Sequence, residues 1–385
     1  MARFIHTADW QIGMPFLNLN EEARISMKNA RFDVIDSIAE YVSDQNGAID
    51  FVLVTGDLFD DAQLGHTTIE HTVGAIAKIP CTVYVLAGNH EWRNSECIYA
   101  SQVFQNLKPA NMHVLEPGIT KVSDGLEIVS APFEGKVHDH DLVAAQVRQL
   151  LPSEKLRIVA GHGVVDKFMD LGKADLIQFE PLKEAITSKI IDYVALGDRH
   201  SCLDVGGLGR IFYSGAPEPT DFNEDQNEVG LILDVTVEKG ATPIVRKQKV
   251  AKWKLDRIGK PTELFQIHSA EDLDELENIV KQIRKPRTTA LKIYFESYLN
   301  IEQEIRRTAL FDYWNGGALA GFAVGEHSAE PQVNTEDSDD LSTLGLSGYL
   351  EDAYKELAEI ASTEEEEASD ALRALAILRR LVKTS

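Results

Sequence analysis

Five short polar clusters, each directly after an apolar run, carry the side chains that could do chemistry. They are Asp9-Trp10-Gln11 after Phe4–Ile5, Gly56-Asp57 after Val52–Thr55, Gly88-Asn89-His90-Glu91 after Val83–Ala87, Gly161-His162-Gly163 after Ile158–Ala160, and Gly197-Asp198-Arg199-His200 after Tyr193–Leu196. Carboxylates, amide carbonyls and imidazoles are donors for divalent cations, oxygen-rich sets suiting manganese, magnesium and calcium. One Asp or His at a strand end is usually a turn residue. Five in succession ask for a common purpose.

The elements that must bring these clusters together can be read from the apolar pattern. Short runs at Phe4–Ile5, Phe51–Val54, Val83–Leu86, Leu126–Ala131, Leu156–Ala160, Tyr193–Leu196, Arg210–Tyr213 and Gly230–Val235 each predict a strand. Over Glu21–Val42, the residues Ile25, Ala30, Val34, Ile35, Ile38 and Val42 form an approximate helical stripe. Strands alternating with helices predict a layered α/β domain over residues 1–245, and loops at strand ends are where such sheets gather reactive groups. A second unit over 246–314 is predicted as a small α+β piece: a strand Val250–Ile258, then Leu264–His268, a helix Ala270–Arg284 capped by Ser269, and a strand Ala290–Glu296. Residues 315–348, rich in Gly, Ser, Asp and Thr, predict an acidic flexible linker. Over 349–385, apolar residues mostly three or four apart predict a terminal helical segment with one apolar side. That side could pack on its own domain or on a partner.

With 385 residues, 44% hydrophobic and 26% charged, the chain can bury a full core and more than one domain. No apolar run long enough to span a bilayer occurs, and the N-terminal residues lack the features of an export signal, so a cytoplasmic protein is expected. Cys81, Cys97 and Cys202 show no CxxC spacing, which argues against a disulfide framework or a thiolate zinc site. The net charge of −24 would ordinarily weigh against a nucleic-acid partner. Yet residues 326–370 alone hold fifteen Asp or Glu against one Lys. Elsewhere Arg246, Lys247, Lys249, Lys252, Lys254, Arg257 and Lys260 form a basic stretch, in which Lys252 and Lys254 are candidate phosphate contacts. A solvated face accounts for such a stretch equally well.

In their order and spacing the five clusters resemble the calcineurin-like metallophosphoesterases, whose motifs read DxH, GD, GNH[DE], GH and GHxH. Gly56-Asp57 and Gly88-Asn89-His90-Glu91 match unchanged. His6–Gly13 and Tyr213–Glu218 look closer still to the SbcD nucleases and their archaeal and eukaryotic counterparts. The resemblance implies a four-layer αββα sandwich over roughly residues 4–222, with a small capping domain behind it. By motif position it implies two divalent ions, manganese or alternatively magnesium. One would be held by Asp9, Gln11, Asp57 and His200, the other by Asp57, Asn89, His162 and Asp198. Two ions with a bridging water would neutralise an anionic phosphodiester and supply a nucleophile near neutral pH. Asp57 would be the bridging ligand, and His90 would touch the scissile phosphate. Two departures stand out: Gln11 replaces the histidine of DxH, and Asp198 the first histidine of GHxH. Both remain oxygen donors, although Gln11 could equally hydrogen-bond from outside the ligand set. Arg199 could reach a phosphate or pair with a carboxylate, and Trp10 could stack on a base or pack beneath the site.

Three functions stay open. The resemblance implies a DNA exo/endonuclease working with an SMC-like coiled-coil ATPase, gripped through the C-terminal helix, in DNA repair or processing; a homodimer is expected. A phosphodiesterase or phosphatase acting on small molecules or phosphoproteins needs the same centre without the extra units. A scaffold protein with a weakened centre would hold fewer than two ions.

Overall fold

A computed structural model of the chain describes residues 1–16, 19–135, 138–168, 176–224, 227–328, 332–334, 348–361, 367, 370–371, 374–375 and 377–378. Two compact units are present: Met1–Leu17 with Arg24–Lys254, and Asn18–Ala23 with Leu255–Ser385.

In chain order the first unit contains β1 (Ala2–Thr7), α1 (Glu21–Asp44), β2 (Phe51–Thr55), α2 (His66–Ile76), β3 (Thr82–Leu86), α3 (Gln102–Leu107), β4 (Met112–Val114), β5 (Gly118–Ser123) and β6 (Leu126–Ala131). There follow α4 (Leu142–Val147), β7 (Leu156–His162), α5 (Phe179–Thr187), β8 (Tyr193–Gly197), β9 (Leu203–Asp204), β10 (Ile211–Tyr213), β11 (Leu231–Val237) and β12 (Ile244–Lys249). They build two six-stranded mixed sheets, ordered β12-β11-β1-β2-β3-β4 and β5-β6-β7-β8-β10-β9. The register of β1 on β2 is parallel, with Phe4 opposite Phe51 and Ile5 opposite Val52.

Alternation along these strands produces the layers. On β1 and β2, Ile5, Val52 and Val54 face a core shared with Val34, Ile35, Ile38 and Val42 of α1 and with Ile69 and Val73 of α2. The intervening Phe4, Phe51 and Leu53 point the other way, into a core between the sheets completed by Ile128, Ile158 and Tyr193. On the far side Val129, Val159 and Val194 meet Val143 of α4 and Leu182 of α5. The result is the expected four-layer αββα sandwich, its central strands apolar on both faces because both faces are covered.

The strand expectations hold for all eight runs, and α1 matches its predicted stripe except at Ile25, which is exposed. The start of the second unit moves from residue 246 to 255. Arg246, Lys247 and Lys249 lie on β12, the edge strand of the first sheet, where Asp234 of β11 pairs with Arg246 in register.

The second unit carries β13 (Lys254–Ile258), β14 (Phe265–Ile267), α6 (Ala270–Lys281), β15 (Thr289–Ile293), β16 (Phe295–Asn300), α7 (Ile301–Tyr313), β17 (Gly321–Val324), β18 (Gln332–Asn334) and α8 (Tyr349–Ala361). Its strands are ordered β13-β15-β17 and β14-β16-β18. Ser269 caps α6 by accepting from the Asp272 N–H, as expected, and Leu273, Leu276 and Val280 pack on Ile267, Leu291 and Phe295. The single strand predicted over Ala290–Glu296 is broken at Tyr294 into β15 and β16. Helix α7, unpredicted, opens on a capping box between Asn300 and Gln303. Part of the predicted linker is instead ordered sheet, since β17 pairs in parallel with β15 and β18 with β16. Residues 329–331 and 335–347 of that linker lie outside the described residues, as does much of the predicted terminal helix beyond Ala361. Tyr354 and Ala361 of α8 are buried with Ile301 of the same unit. Among the described residues no helix is long and apolar enough to cross a membrane.

Candidate metal centre

The first three clusters follow β1, β2 and β3 of one sheet, and the other two close β7 and β8 of the facing sheet. One ligand atom each from Asp9, Asp57 and His162 lies within 4.8 Å of the others, and all three residues are buried. The His162 ring fixes the geometry. Its Nδ1 sits 2.8 Å from the Thr55 carbonyl, which can only accept, so Nδ1 carries a proton and Nε2 points inward. Around Nε2 stand Asn89 Oδ1 at 2.8 Å, Asp57 Oδ2 at 3.3 Å and Asp198 Oδ1 at 3.8 Å. Three oxygens converging on one ring nitrogen require a proton or a cation between them.

A second group forms around His200. Its Nδ1 faces Glu224 Oε1 at 3.1 Å and Thr220 Oγ1 at 2.5 Å, while Gln11 Nε2 lies 3.0 Å from its Nε2. The Gln11 carbonyl oxygen is buried without a hydrogen-bond partner. An acceptor left in that state costs about 1–3 kcal/mol, which a cation would offset. The donor set therefore fits divalent ions: oxygens and two imidazoles, one orphaned carbonyl, and excess negative charge.

Charge in the cluster shifts its groups in opposite directions. Burial pushes the Asp9 carboxyl up to about 7, with His200 and His162 opposing and Asp57 and Asp198 adding. Burial also raises Asp198. Burial pushes Asp57 upward too, but His162 and His90 outweigh it and leave this carboxyl below its usual range. For His162, desolvation alone would lower the imidazole, and the neighbouring Asp57 charge and hydrogen bond hold it well above the ordinary value.

Backbone strain concentrates on the same residues. Asp9, Gln11, Asp57 and Asp198 have φ of 54°, 44°, 53° and 93°, four of the seven non-glycine residues with positive φ among those described. Each costs on the order of 1–3 kcal/mol and persists where surroundings enforce it. Here the Asp9 N–H donates to Gly56 O, the Gln11 N–H to Asp57 O, and the Asp198 N–H to Asp9 Oδ1 at 3.0 Å. The glycines of the clusters make room: a Cβ at Gly56 would stand 2.1 Å from His162 Nδ1, and one at Gly88 would stand 2.1 Å from Asp57 Oδ1.

His90 faces the centre from its rim. The ring Nδ1 donates to the Asp60 carbonyl at 2.8 Å, which leaves Nε2 3.8 Å from Asp57 Oδ2, and the side chain is 37% exposed. Arg199 is exposed and its guanidinium lies over the Phe168 ring. Trp10 is fully buried beneath its loop and donates to Thr7 Oγ1. Glu91 is buried, accepting from the Leu58 and Gly88 N–H groups and from Tyr99. Lys252 and Lys254 have exposed side chains, and the Lys252 N–H is held by Glu218.

Four residues escaped the reading of the sequence. Asp60 orients His90, Thr220 and Glu224 face His200, and the buried Arg31 of α1 donates to Trp10 O and Pro219 O. Asp60 lies three residues beyond Asp57 and could have been suspected; the others act across long separations that leave no local pattern.

Residues 2–202 match the family described as calcineurin-like phosphoesterase. The chain is also similar to the SbcD component of the nuclease SbcCD from Escherichia coli K12 and from Escherichia coli O157:H7, in each case 24% identical over 266 residues, covering 58% of this chain. It spans 62% of the length of those relatives. Among solved structures it is similar to purple acid phosphatase PPD1 from yellow lupin, at 12% identity and a TM-score of 0.39 over 65% of this chain and 51% of that one. A dimetal phosphatase from Danio rerio gives 10% identity and a TM-score of 0.38 over 64% of this chain and 98% of that one.

Proposed function

The chain belongs to the calcineurin-like phosphoesterase family, and on that premise we propose that it is a two-metal DNA nuclease. The observation that carries the chemistry is the convergence on His162 Nε2 of oxygens from Asn89, Asp57 and Asp198, with Asp9, Gln11 and His200 alongside. One ion would be held by Asp9, Gln11, Asp57 and His200, the other by Asp57, Asn89, His162 and Asp198, with manganese favoured over magnesium. When bound, the ions supply charge neutralisation and a nucleophile near neutral pH.

The protein's own groups do the rest. Asp57 would be the ligand shared by both ions: its Oδ2 lies near His162, its Oδ1 is fixed by the His90 N–H at 3.1 Å, and its carboxylate clusters with Asp9. The strained turns at Asp9, Gln11, Asp57 and Asp198 hold their side chains in place before substrate arrives. His90, oriented through Nδ1 by the Asp60 carbonyl, presents Nε2 toward the phosphoryl or leaving oxygen, to which the ring donates in its doubly protonated form.

A nucleic-acid substrate, which we take to be DNA, is supported by the relatives' being named a nuclease and by the exposed cations Arg199, Lys252 and Lys254. The second unit, residues 255–314 in particular, is proposed to face DNA as a cap. An SMC-like coiled-coil ATPase is proposed as partner of the C-terminal helical segment. Because Tyr354 and Ala361 are turned inward, its docking side would be formed by the exposed Tyr349 and Leu350. A homodimer in the cytoplasm completes the reading, consistent with three free cysteines.

The test is hydrolysis of linear and hairpin DNA with manganese, alone and with the ATPase, beside bis-nitrophenyl phosphate and the Asp57→Ala variant. DNA cleavage lost in the variant is expected. Cleavage of the small ester with DNA untouched even in the ATPase's presence would replace the nuclease reading by that of a small-ester phosphodiesterase.

A further inference from the structure

Behind His200 lies a hydrogen-bonded group that no ligand motif contains. The Glu224 carboxylate lies 3.1 Å from His200 Nδ1 through Oε1 and accepts the Thr220 N–H at 3.2 Å through Oε2. The Thr220 hydroxyl donates to Glu224 Oε1 and lies 2.5 Å from the same His200 nitrogen. Every partner on that side of the ring is an oxygen, and the carboxylate can only accept, so Nδ1 bears the proton. The opposite nitrogen, Nε2, is left with its lone pair toward Gln11 and the centre.

The loop carrying these residues is itself anchored. Arg31, buried to 1% exposure, reaches from α1 to donate to Pro219 O at 3.1 Å and to Trp10 O at 2.8 Å. Pro219 precedes Thr220, and Trp10 precedes Gln11. One guanidinium thus ties the loop that orients His200 to the loop that places Gln11.

Resting on the two-metal reading, we propose that Glu224 is a positioning residue for the ion held by Asp9, Gln11, Asp57 and His200, selecting the His200 tautomer whose Nε2 can bind a cation. Partners that fix a ligand imidazole in this way typically contribute about 10–100-fold in metal affinity. The ion assigned to Asn89, His162 and Asp198 draws its imidazole orientation from Thr55 O instead, so it is independent of Glu224.

The experiment is a manganese titration of the full chain by calorimetry and electron paramagnetic resonance, in wild type, Glu224→Ala and Glu224→Gln, with the His200 tautomer read by nitrogen-15 NMR of the metal-free protein. Expected in Glu224→Ala are a loss on the order of 10–100-fold at one ion, an unchanged second ion, and loss of the pure Nδ1–H tautomer. Glu224→Gln, which keeps an acceptor for Nδ1–H, falls between. Wild-type affinity for both ions in Glu224→Ala overturns the inference alone, as does parallel weakening of both ions, which would mark a structural residue. Fewer than two ions on the wild-type chain overturns the two-metal reading and this inference with it.

Discussion

His90 is the side chain on which rate should depend without the metal count following. Its Nδ1 is occupied by Asp60 O, and its Nε2 stands on the rim, 3.8 Å from Asp57 Oδ2. Replacing it with Gln is expected to lower turnover by about 10²–10⁴-fold while calorimetry still counts the same number of manganese ions; loss of an ion would put the ring among the ligands instead. The buried carboxyls and imidazoles give a second expectation. Burial lifts Asp9 to about 7, and Asp57 holds the His162 proton on well above the usual imidazole value. Protons and cations therefore compete for the same lone pairs. Manganese affinity should rise as pH rises through about 7, with protons released on binding; affinity flat between about pH 6 and 8 would contradict this. The sign for the metal-free chain is the reverse. Asp9 binds its proton more tightly folded than unfolded, so its contribution to stability is lost as pH rises from its ordinary value toward about 7.

At the scale of elements, the centre depends on how closely strand-end loops approach. A Cβ at Gly88 would meet Asp57 Oδ1 at 2.1 Å and Asp57 N at 2.5 Å. Gly88→Ala should therefore displace Asp57 within an intact sandwich, costing about 10²-fold in rate with an unchanged circular dichroism spectrum; full activity would show that the loop yields freely. The same contrast between loop and strand explains what could be read beforehand. Strands buried on both faces, such as Phe51–Thr55 and Tyr193–Gly197, are nearly unbroken apolar runs and were legible. Edge strands were not: Gly118–Ser123 alternates half-buried and exposed residues, and Ile244–Lys249 is mostly exposed and basic, so it read as the start of another unit. The seven candidate ligands can be proposed from the sequence because each belongs to a polar cluster at or just beyond the end of an apolar strand. Glu224 was not, since it stands 24 residues beyond His200, and Arg31 lies 188 residues from Pro219. Their roles arise from tertiary placement alone.

For the whole molecule, the proposed DNA substrate must be squared with a chain of charge −24. Fifteen of its carboxylates fall in residues 326–370, far in sequence from the phosphoesterase strands, and the basic stretch lies at 246–260. If Lys252 and Lys254 meet phosphates, changing both to Gln should weaken DNA binding at every sequence and reduce the salt dependence by about one counterion each; an unchanged slope would place both in solvent. The proposed catalysis rests on two ions that would both be held by Asp57. The most direct measurement is anomalous diffraction from crystals grown with manganese. The expected map has two peaks about 3.5–4 Å apart, one touching Asp9, Gln11, Asp57 and His200 and the other Asp57, Asn89, His162 and Asp198. A single peak, or none at saturating manganese, would contradict it.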